Sequence, residues 1–156
     1  MVDRAWHALM FEERARHSLE SLARRMRAAR KESGDGFEAF NRLGPHVQFA
    51  AKAHIEHVTL ASFMDGIAQC GDDDARRVLD ILCSLYAIES IHTDRAWFLE
   101  HHRISAARSK ALGEQIDALC GQLRPHALAV VEGMGVPAPW LSAAVVDAGS
   151  YHPEGA

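Results

Sequence analysis

Four polar side chains in this sequence have the types and spacing of metal ligands. Glu89 and His92 form a Glu-x-x-His pair, which places a carboxylate and an imidazole on one face of a helix. His54 and His57 are also three residues apart, in an earlier segment that could face the first pair. Imidazole and carboxylate ligands suit zinc or iron. The residues therefore allow a single-metal site made by His54, Glu89 and His92.

The alternative is that these side chains are buried in a helical bundle and bond one another and backbone carbonyls, as buried polar groups must. A di-metal centre would need a second Glu-x-x-His motif, and the sequence has none. No G-x-S-x-G or catalytic cysteine signature is present, and Gly133-Met134-Gly135 follows a helical pattern, so we interpret it as a helix stop. We assign no catalytic, cofactor-binding or metal-binding residue.

The segment from Val78 to Glu100 predicts the central helix. Its apolar residues recur at helical spacing in neighbouring stripes: Val78, Leu82 and Leu85; Leu79, Cys83 and Tyr86; and Ile81 with Ile88. A helix that is apolar over most of its circumference must be surrounded by other helices. We therefore expect Glu89, His92 and Asp94 to lie either in a hydrogen-bonded pocket or where the helix leaves the core.

An amphipathic helix is predicted from Asp3 to about Lys31, with Asp3 as its N-cap and Gly34 as its stop. We interpret its polar side as a solvent-exposed face, made by Arg14, Arg16, Glu20, Arg24, Arg27 and Arg30. The alternative is a membrane-surface helix, because clustered positive charge attracts anionic headgroups. The interspersed glutamates favour the solvent-exposed interpretation.

A second long helix is predicted from about His46 to Cys70, with His54 in the middle of an apolar face. Asp72 to Asp74 supply an N-cap and a negative first turn for the central helix, so the connection is short and the two helices should be antiparallel.

Two further segments are predicted after the central helix. A fourth long helix is capped by Ser105 and interrupted at Pro125, and a short one runs from Trp140 to Val146. No segment alternates with period two. The fold class is therefore all-α, an antiparallel four-helix bundle with minor extra helices over residues 1–146, followed by a flexible tail at 147–156.

Composition excludes several classes of protein. The chain has 156 residues, a net charge of -4 and 48% hydrophobic residues, typical of a single globular domain that does not bind nucleic acid. Its three cysteines are widely spaced, which indicates reduced thiols rather than disulfides or a zinc site. No apolar run reaches the roughly 20 residues of a membrane span, and neither a signal peptide nor a Ser-Lys-Leu ending is found. We expect a cytoplasmic protein.

Several segments, in their order and spacing, resemble the C-terminal helical domain of acyl-CoA oxidases from about Trp6 to Leu141. The segments are Ala51-Lys52-Ala53-His54, Leu85-Tyr86-Ala87-Ile88, Asp94 to Glu100, Leu119-Cys120 with Leu123-Arg124-Pro125, and Ala129 to Glu132 with Val136-Pro137 and Leu141. The sequence departs from the family pattern at His92, where the family is more often acidic, and at Gly133-Met134.

The resemblance implies a structural and assembly role. In that family the FAD site, the acyl-CoA cleft and the catalytic glutamate belong to the preceding domains, so no catalytic residue is carried over to this chain. The chain is expected to be inert alone, and to self-associate or pack on acyl-CoA oxidase catalytic domains through an exposed apolar patch. The parent enzyme would convert acyl-CoA to trans-2-enoyl-CoA with release of H2O2. The alternative remains a metal-binding helical bundle.

Overall fold

A computed structural model of the chain describes residues 3–137 and residue 140, and every regular element among them is helical. The long helices are accompanied by short ones at the connections. In chain order the elements are α1 (Arg4–Ser33), α2 (Gly36–Arg42), α3 (Gly44–Gln69), α4 (Asp73–Thr93), α5 (Arg95–Glu100), α6 (Ala106–Leu123), a 3-10 turn (Arg124–His126) and α7 (Ala127–Gly133). This confirms the predicted all-α class.

The helix boundaries are set by the capping residues that the sequence indicates. Asp3 accepts hydrogen bonds from the backbone N–H groups of Ala5 and Trp6 and so begins α1, and Gly34 ends it with a left-handed φ of 72°. Asp72 accepts from the N–H of Ala75 at 2.8 Å and begins α4. The Ser105 hydroxyl accepts from the N–H of Arg108 in the first turn of α6. These caps satisfy N–H groups that have no partner inside the helix.

The chain divides into two compact units, Met1–Gln122 and Leu123–Ala156. In the first unit, α1 and α3 are antiparallel neighbours, and so are α3 and α4. Three residues connect α3 to α4, and Arg76 stabilises this connection. Its guanidinium donates to the backbone carbonyl of Cys70 at the end of α3. Helix α6 runs back along α1, because Arg103 pairs with Glu13 whereas Arg108 lies on Trp6. The predicted bundle is therefore formed by α1, α3, α4 and α6.

The core of this unit contains residues from all four long helices and from α5. Its fully buried members include Phe11, Leu60, Ile91, Phe98 and Leu112. A smaller cluster, in which Ala29, Ala39 and Leu43 are buried, packs α2 against the C-terminal half of α1 and the start of α3. The small side chains allow close approach of the backbones at that end.

The central helix differs from its prediction in two ways. It ends at Thr93, and the separate short helix α5 follows Asp94, whose φ of -95° and ψ of 21° leave the helical range. Its buried face is narrow, made by Cys83, Ser84, Ala87, Ile88, Ser90 and Ile91. The other apolar side chains of α4, Leu82 and Leu85 among them, are only half-buried. The expectation that α4 is surrounded is therefore wrong for the described residues.

The second unit is described from Leu123 to Pro137 and at Trp140. Pro125 lies inside the 3-10 turn, and α7 begins at Ala127, so the predicted interruption at this proline is confirmed. The predicted helix from Trp140 to Val146 and the predicted tail at 147–156 lie, apart from Trp140, outside the described residues. None of the helices described above is both long and apolar enough to cross a membrane.

Candidate functional site

The predicted metal ligands are not brought together. His54 is exposed on α3, and Glu89 is exposed on α4, where it accepts a hydrogen bond from Thr93. Within residues 3–137 and 140, no group of three or more His, Cys, Asp or Glu side chains is placed to hold a metal ion. His54 lies among apolar residues of α3, as predicted, but this side of the helix is exposed and does not face the interior of the bundle.

The reason lies in the two apolar sides of α3. Its buried side consists of Ala50, Ala53, Leu60 and Ile67. The side that carries His54 is the one left in solvent. Helix α3 contacts α1, α2 and α4 in this unit, and its second apolar side is not covered by them.

The polar centre of the first unit is Arg14, a residue predicted to lie in solvent. Its side chain is 0% exposed. It follows Met10 and Phe11 at helical spacing and precedes Ser18, whose hydroxyl donates to the Arg14 carbonyl, and all four residues are on the buried face of α1. The spacing 7, 10, 11, 14, 18 is the signal that could have placed Arg14 on this face.

Two carboxylates hold the buried guanidinium of Arg14. Its Nη2 lies 2.5 Å from Glu56 on α3, and its Nη1 lies 2.5 Å from Asp94 at the junction of α4 and α5. Lys52 donates to both carboxylate oxygens of Asp94 and lies 3.6 Å from Glu56. The two cations and two anions therefore form a closed network, which compensates the cost of removing the charges from water.

Aromatic rings and one unsatisfied atom complete the surroundings of Arg14. The guanidinium carbon lies 5.0 Å from the ring centre of Phe11 and 5.5 Å from that of Phe98, within range of a cation–π attraction. The Arg14 Nε is buried without a hydrogen-bond partner among the described residues. The Tyr86 hydroxyl donates to the carbonyl of Glu56, and burial, followed by the Glu56 charge, raises the Tyr86 pKa.

The Arg14 network is suited to fixing helices rather than to chemistry on a ligand. Two of the three guanidinium nitrogens are hydrogen-bonded to protein carboxylates, and no surface of the group faces solvent. Two of its members, Lys52 and Asp94, belong to segments on which the family resemblance was based. The network joins α1, α3 and the start of α5.

A groove opens between the N-terminal end of α1 and one face of α6. Its volume is about 220 Å³, and its lining residues are Asp3, Trp6, His7, Ile88, Arg108, Gln115, Ala118, Leu119 and Gln122. Burial lowers the pKa of His7 to about 4, with the Asp3 charge opposing this change and the Arg108 charge adding to it. The His7 imidazole is therefore neutral at physiological pH.

A second histidine cluster joins α1 to the end of α5. The His17 and His101 rings have centroids 4.4 Å apart, and Trp97 stacks on His101 at 4.4 Å. The His101 Nδ1 lies 2.8 Å from the Trp97 carbonyl, which fixes the ring. Burial, then the positive charges of His101 and the nearby arginines, lowers the pKa of His17.

Replacing Arg14 tests the network. Arg14→Met should lower the free energy of unfolding by about 3–5 kcal/mol, because Glu56 and Asp94 would be left largely buried with only Lys52 opposite them. Urea unfolding followed by circular dichroism measures the change. Arg16→Met, at a residue whose side chain is 57% exposed, is the matched control and should cost less than about 0.5 kcal/mol. Equal effects of the two substitutions would contradict the structural role of Arg14.

The free energy of unfolding should decrease as the pH falls, because protonation of His7 favours the unfolded state. A folded-state pKa below the ordinary value of 6.5 means that folding favours the neutral imidazole, so this contribution is complete above pH 6.5 and is lost as the pH falls towards 4. From about pH 7 to about pH 5 the loss should be about 2 kcal/mol. Urea unfolding at both pH values should show a smaller loss for His7→Gln and an unchanged loss for the exposed-site control His54→Gln. A His7→Gln protein with the wild-type pH dependence would refute the assignment.

The chain is similar in sequence to a family of known proteins. The family model described as acyl-CoA oxidase matches residues 6–145. An acyl-coenzyme A oxidase-like protein of Mus musculus is 31% identical over 104 residues, which cover 67% of this chain and 16% of that protein. The peroxisomal acyl-coenzyme A oxidase 2 of Arabidopsis thaliana is 31% identical over 127 residues, which cover 81% of this chain and 18% of that protein.

A solved structure shows the same fold. The acyl-coA oxidase1 of Yarrowia lipolytica superimposes with a TM-score of 0.78 at 20% sequence identity, over 87% of this chain and 20% of that one. This chain thus spans less than a fifth of the length of the two curated relatives that it matches. With the family model covering nearly all the described residues, the chain belongs to the acyl-CoA oxidase family.

Proposed function

We propose that this chain is the C-terminal structural and assembly domain of an acyl-CoA oxidase-like flavoenzyme, and that its role is to pack on the catalytic domains. The observation that carries the proposal is the exposed apolar side of α3. Ile55 is 62% and Val58 is 45% exposed, and Ala51 and Ala61, also exposed, lie on the same side at helical spacing. We call these four residues the α3 apolar face.

The α3 apolar face has the character of an interface core. Large apolar side chains that lie together in solvent mark a surface that another protein segment covers. The half-buried residues Leu82 and Leu85 of α4 indicate a further shortage of covering partners in the first unit. The two relatives described above are much longer than the region that this chain matches, which is 16–18% of their length. Their other domains are the candidates for covering the α3 apolar face.

The chemistry of the whole enzyme is assigned to the other domains. An acyl-CoA oxidase removes the α-proton with a base and passes hydride from the β-carbon to FAD, giving the trans-2-enoyl-CoA, and the reduced flavin is reoxidised by O2 to yield H2O2. The groove beside Trp6, at about 220 Å³, lies below the roughly 300–1,000 Å³ of pockets for drug-sized ligands and does not fit a flavin. We assign packing to the described residues and the redox step to the rest of the enzyme. A cytoplasmic location stays a prediction from the sequence.

The isolated chain should be catalytically inert. Purified chain incubated with FAD and a fatty acyl-CoA should release no peroxide above the level of the same mixture without protein, because neither base nor flavin site is assigned to it. A horseradish-peroxidase-coupled assay detects the peroxide, with the oxidase from Yarrowia lipolytica as the positive control. Peroxide release, or flavin absorbance that persists through gel filtration of the purified chain, would refute the proposed division of roles.

The isolated chain should also self-associate through the α3 apolar face, because a second copy can cover it when the catalytic domains are absent. The double substitution Ile55→Glu and Val58→Glu should shift the protein to monomer in sedimentation velocity. Leu19→Glu makes the same type of change at a residue of α1 that is 63% exposed, and should leave the association intact.

Two outcomes contradict this prediction. A wild-type protein that stays a monodisperse monomer at high concentration would show that the α3 apolar face does not drive self-association. Loss of association in the Leu19 variant alone would assign the contact to α1 instead of α3. Circular dichroism of each variant verifies that its helices are retained.

A further inference from the structure

The groove between α1 and α6 contains a guanidinium that has no acidic partner in the described part of the chain. Arg108 lies over the ring of Trp6, with its central carbon 3.8 Å from the ring centroid. The indole attracts the guanidinium through a cation–π contact, and the exposed Arg108 side chain makes no ion pair with a described carboxylate. Because Arg donors match the geometry of a carboxylate, this is an oriented anion-binding group.

His7 adds a buried polar group at the same place. The residue is 4% exposed and lines the groove, and its ring nitrogens make no hydrogen bond to any residue from 3 to 137. A neutral imidazole carries one N–H donor, which a ligand oxygen can satisfy. Gln115 and Gln122 provide carboxamide donors along α6.

Asp3 is the one carboxylate among the lining residues, and it is also the N-cap of α1. One of its oxygens accepts the N–H groups of Ala5 and Trp6 as the N-cap of α1. The positive end of the α1 dipole, equivalent to about half a charge, offsets it. Arg108 lies in the first turn of α6, where a second positive helix end adds to its charge. The groove therefore combines the Arg108 charge and two positive helix ends with the single carboxylate of Asp3.

The remainder of the lining is apolar. Ile88 from α4 is 1% and Leu119 from α6 is 6% exposed, and Ala118 lies beside Leu119. The volume of about 220 Å³ is below the range for drug-sized ligands, so the occupant must be small. A ligand that fits has a charged head at Arg108 and a short apolar part on Ile88 and Leu119.

We propose that this groove is a binding site for a carboxylate that carries a short apolar chain. The carboxylate pairs with Arg108 and accepts from His7, and the chain covers Ile88 and Leu119. The inference goes beyond the assembly role, because the site uses α1, α4 and α6 and leaves the α3 apolar face free.

Binding can be measured on the isolated chain with hexanoate as the probe. Hexanoate should shift the indole N–H resonance of Trp6 in two-dimensional NMR, with the signal identified from a Trp6→Phe protein. The affinity should exceed that for acetate by at least about tenfold, since a fully buried methylene is worth up to about fourfold. Arg108→Gln should weaken hexanoate binding by about tenfold or more. Arg27→Gln, a matched change at an exposed residue far along α1, should not alter it.

Control ligands distinguish the alternatives. Hexanamide, which has the same chain without the charge, should bind at least about tenfold more weakly than hexanoate. Equal binding of the amide, or an unchanged hexanoate affinity in the Arg108→Gln protein, overturns the proposal. Inorganic phosphate that binds as tightly as hexanoate overturns it too, because the apolar part would then contribute nothing. An acidic peptide that shifts Trp6 when hexanoate does not would assign the groove to a protein partner and equally refute it.

Discussion

Arg14 and its two carboxylates form the interaction on which the rest of the first unit depends. A guanidinium without any exposed surface costs several kcal/mol to remove from water, so its position is acceptable only where anions meet it with good geometry. Glu56 comes from α3 and Asp94 from the junction of α4 and α5. The helices must therefore be in register with one another before the charge can be buried.

This requirement also accounts for local structure that the helix pattern does not explain. Asp94 interrupts what would otherwise be a continuous helix from α4 into α5, at the point where its carboxylate receives Arg14 and Lys52. The residues after the interruption then bring Phe98 onto the buried guanidinium and into the core. A polar contact thus sets where the central helix ends, and the apolar packing of α5 follows from it.

Local signals in the sequence were sufficient to predict where the helices begin and end. They were insufficient to predict which side of each helix is buried. Asp3, Asp72, Ser105 and Pro125 act through neighbours a few residues away, so they could be interpreted without knowledge of the fold. The family resemblance likewise depended on short segments and their order.

The errors concern side chains whose surroundings depend on distant residues. Arg14 was assigned to solvent because charge usually indicates an exposed face, although its spacing from Met10 and Phe11 placed it on the buried one. His54 was assigned to the interior because α3 has two apolar sides, and periodicity identifies a side without stating which helix covers it. The groove at Trp6 depends on residues about a hundred positions apart, which no local pattern connects.

Because Arg14 on α1 pairs with Glu56 on α3 and with Asp94 between α4 and α5, the unfolding of these segments is coupled. If α1 separates from α3 alone, Arg14 keeps one anion, and Glu56 is left beside Lys52 in a partly apolar site. Each partial opening therefore exposes core surface and also leaves a charge poorly compensated, which makes intermediates with one helix detached unfavourable. Unfolding of this region is consequently cooperative, and its most protected backbone amides, on α1, α3 and α4, should exchange with solvent through a single common event.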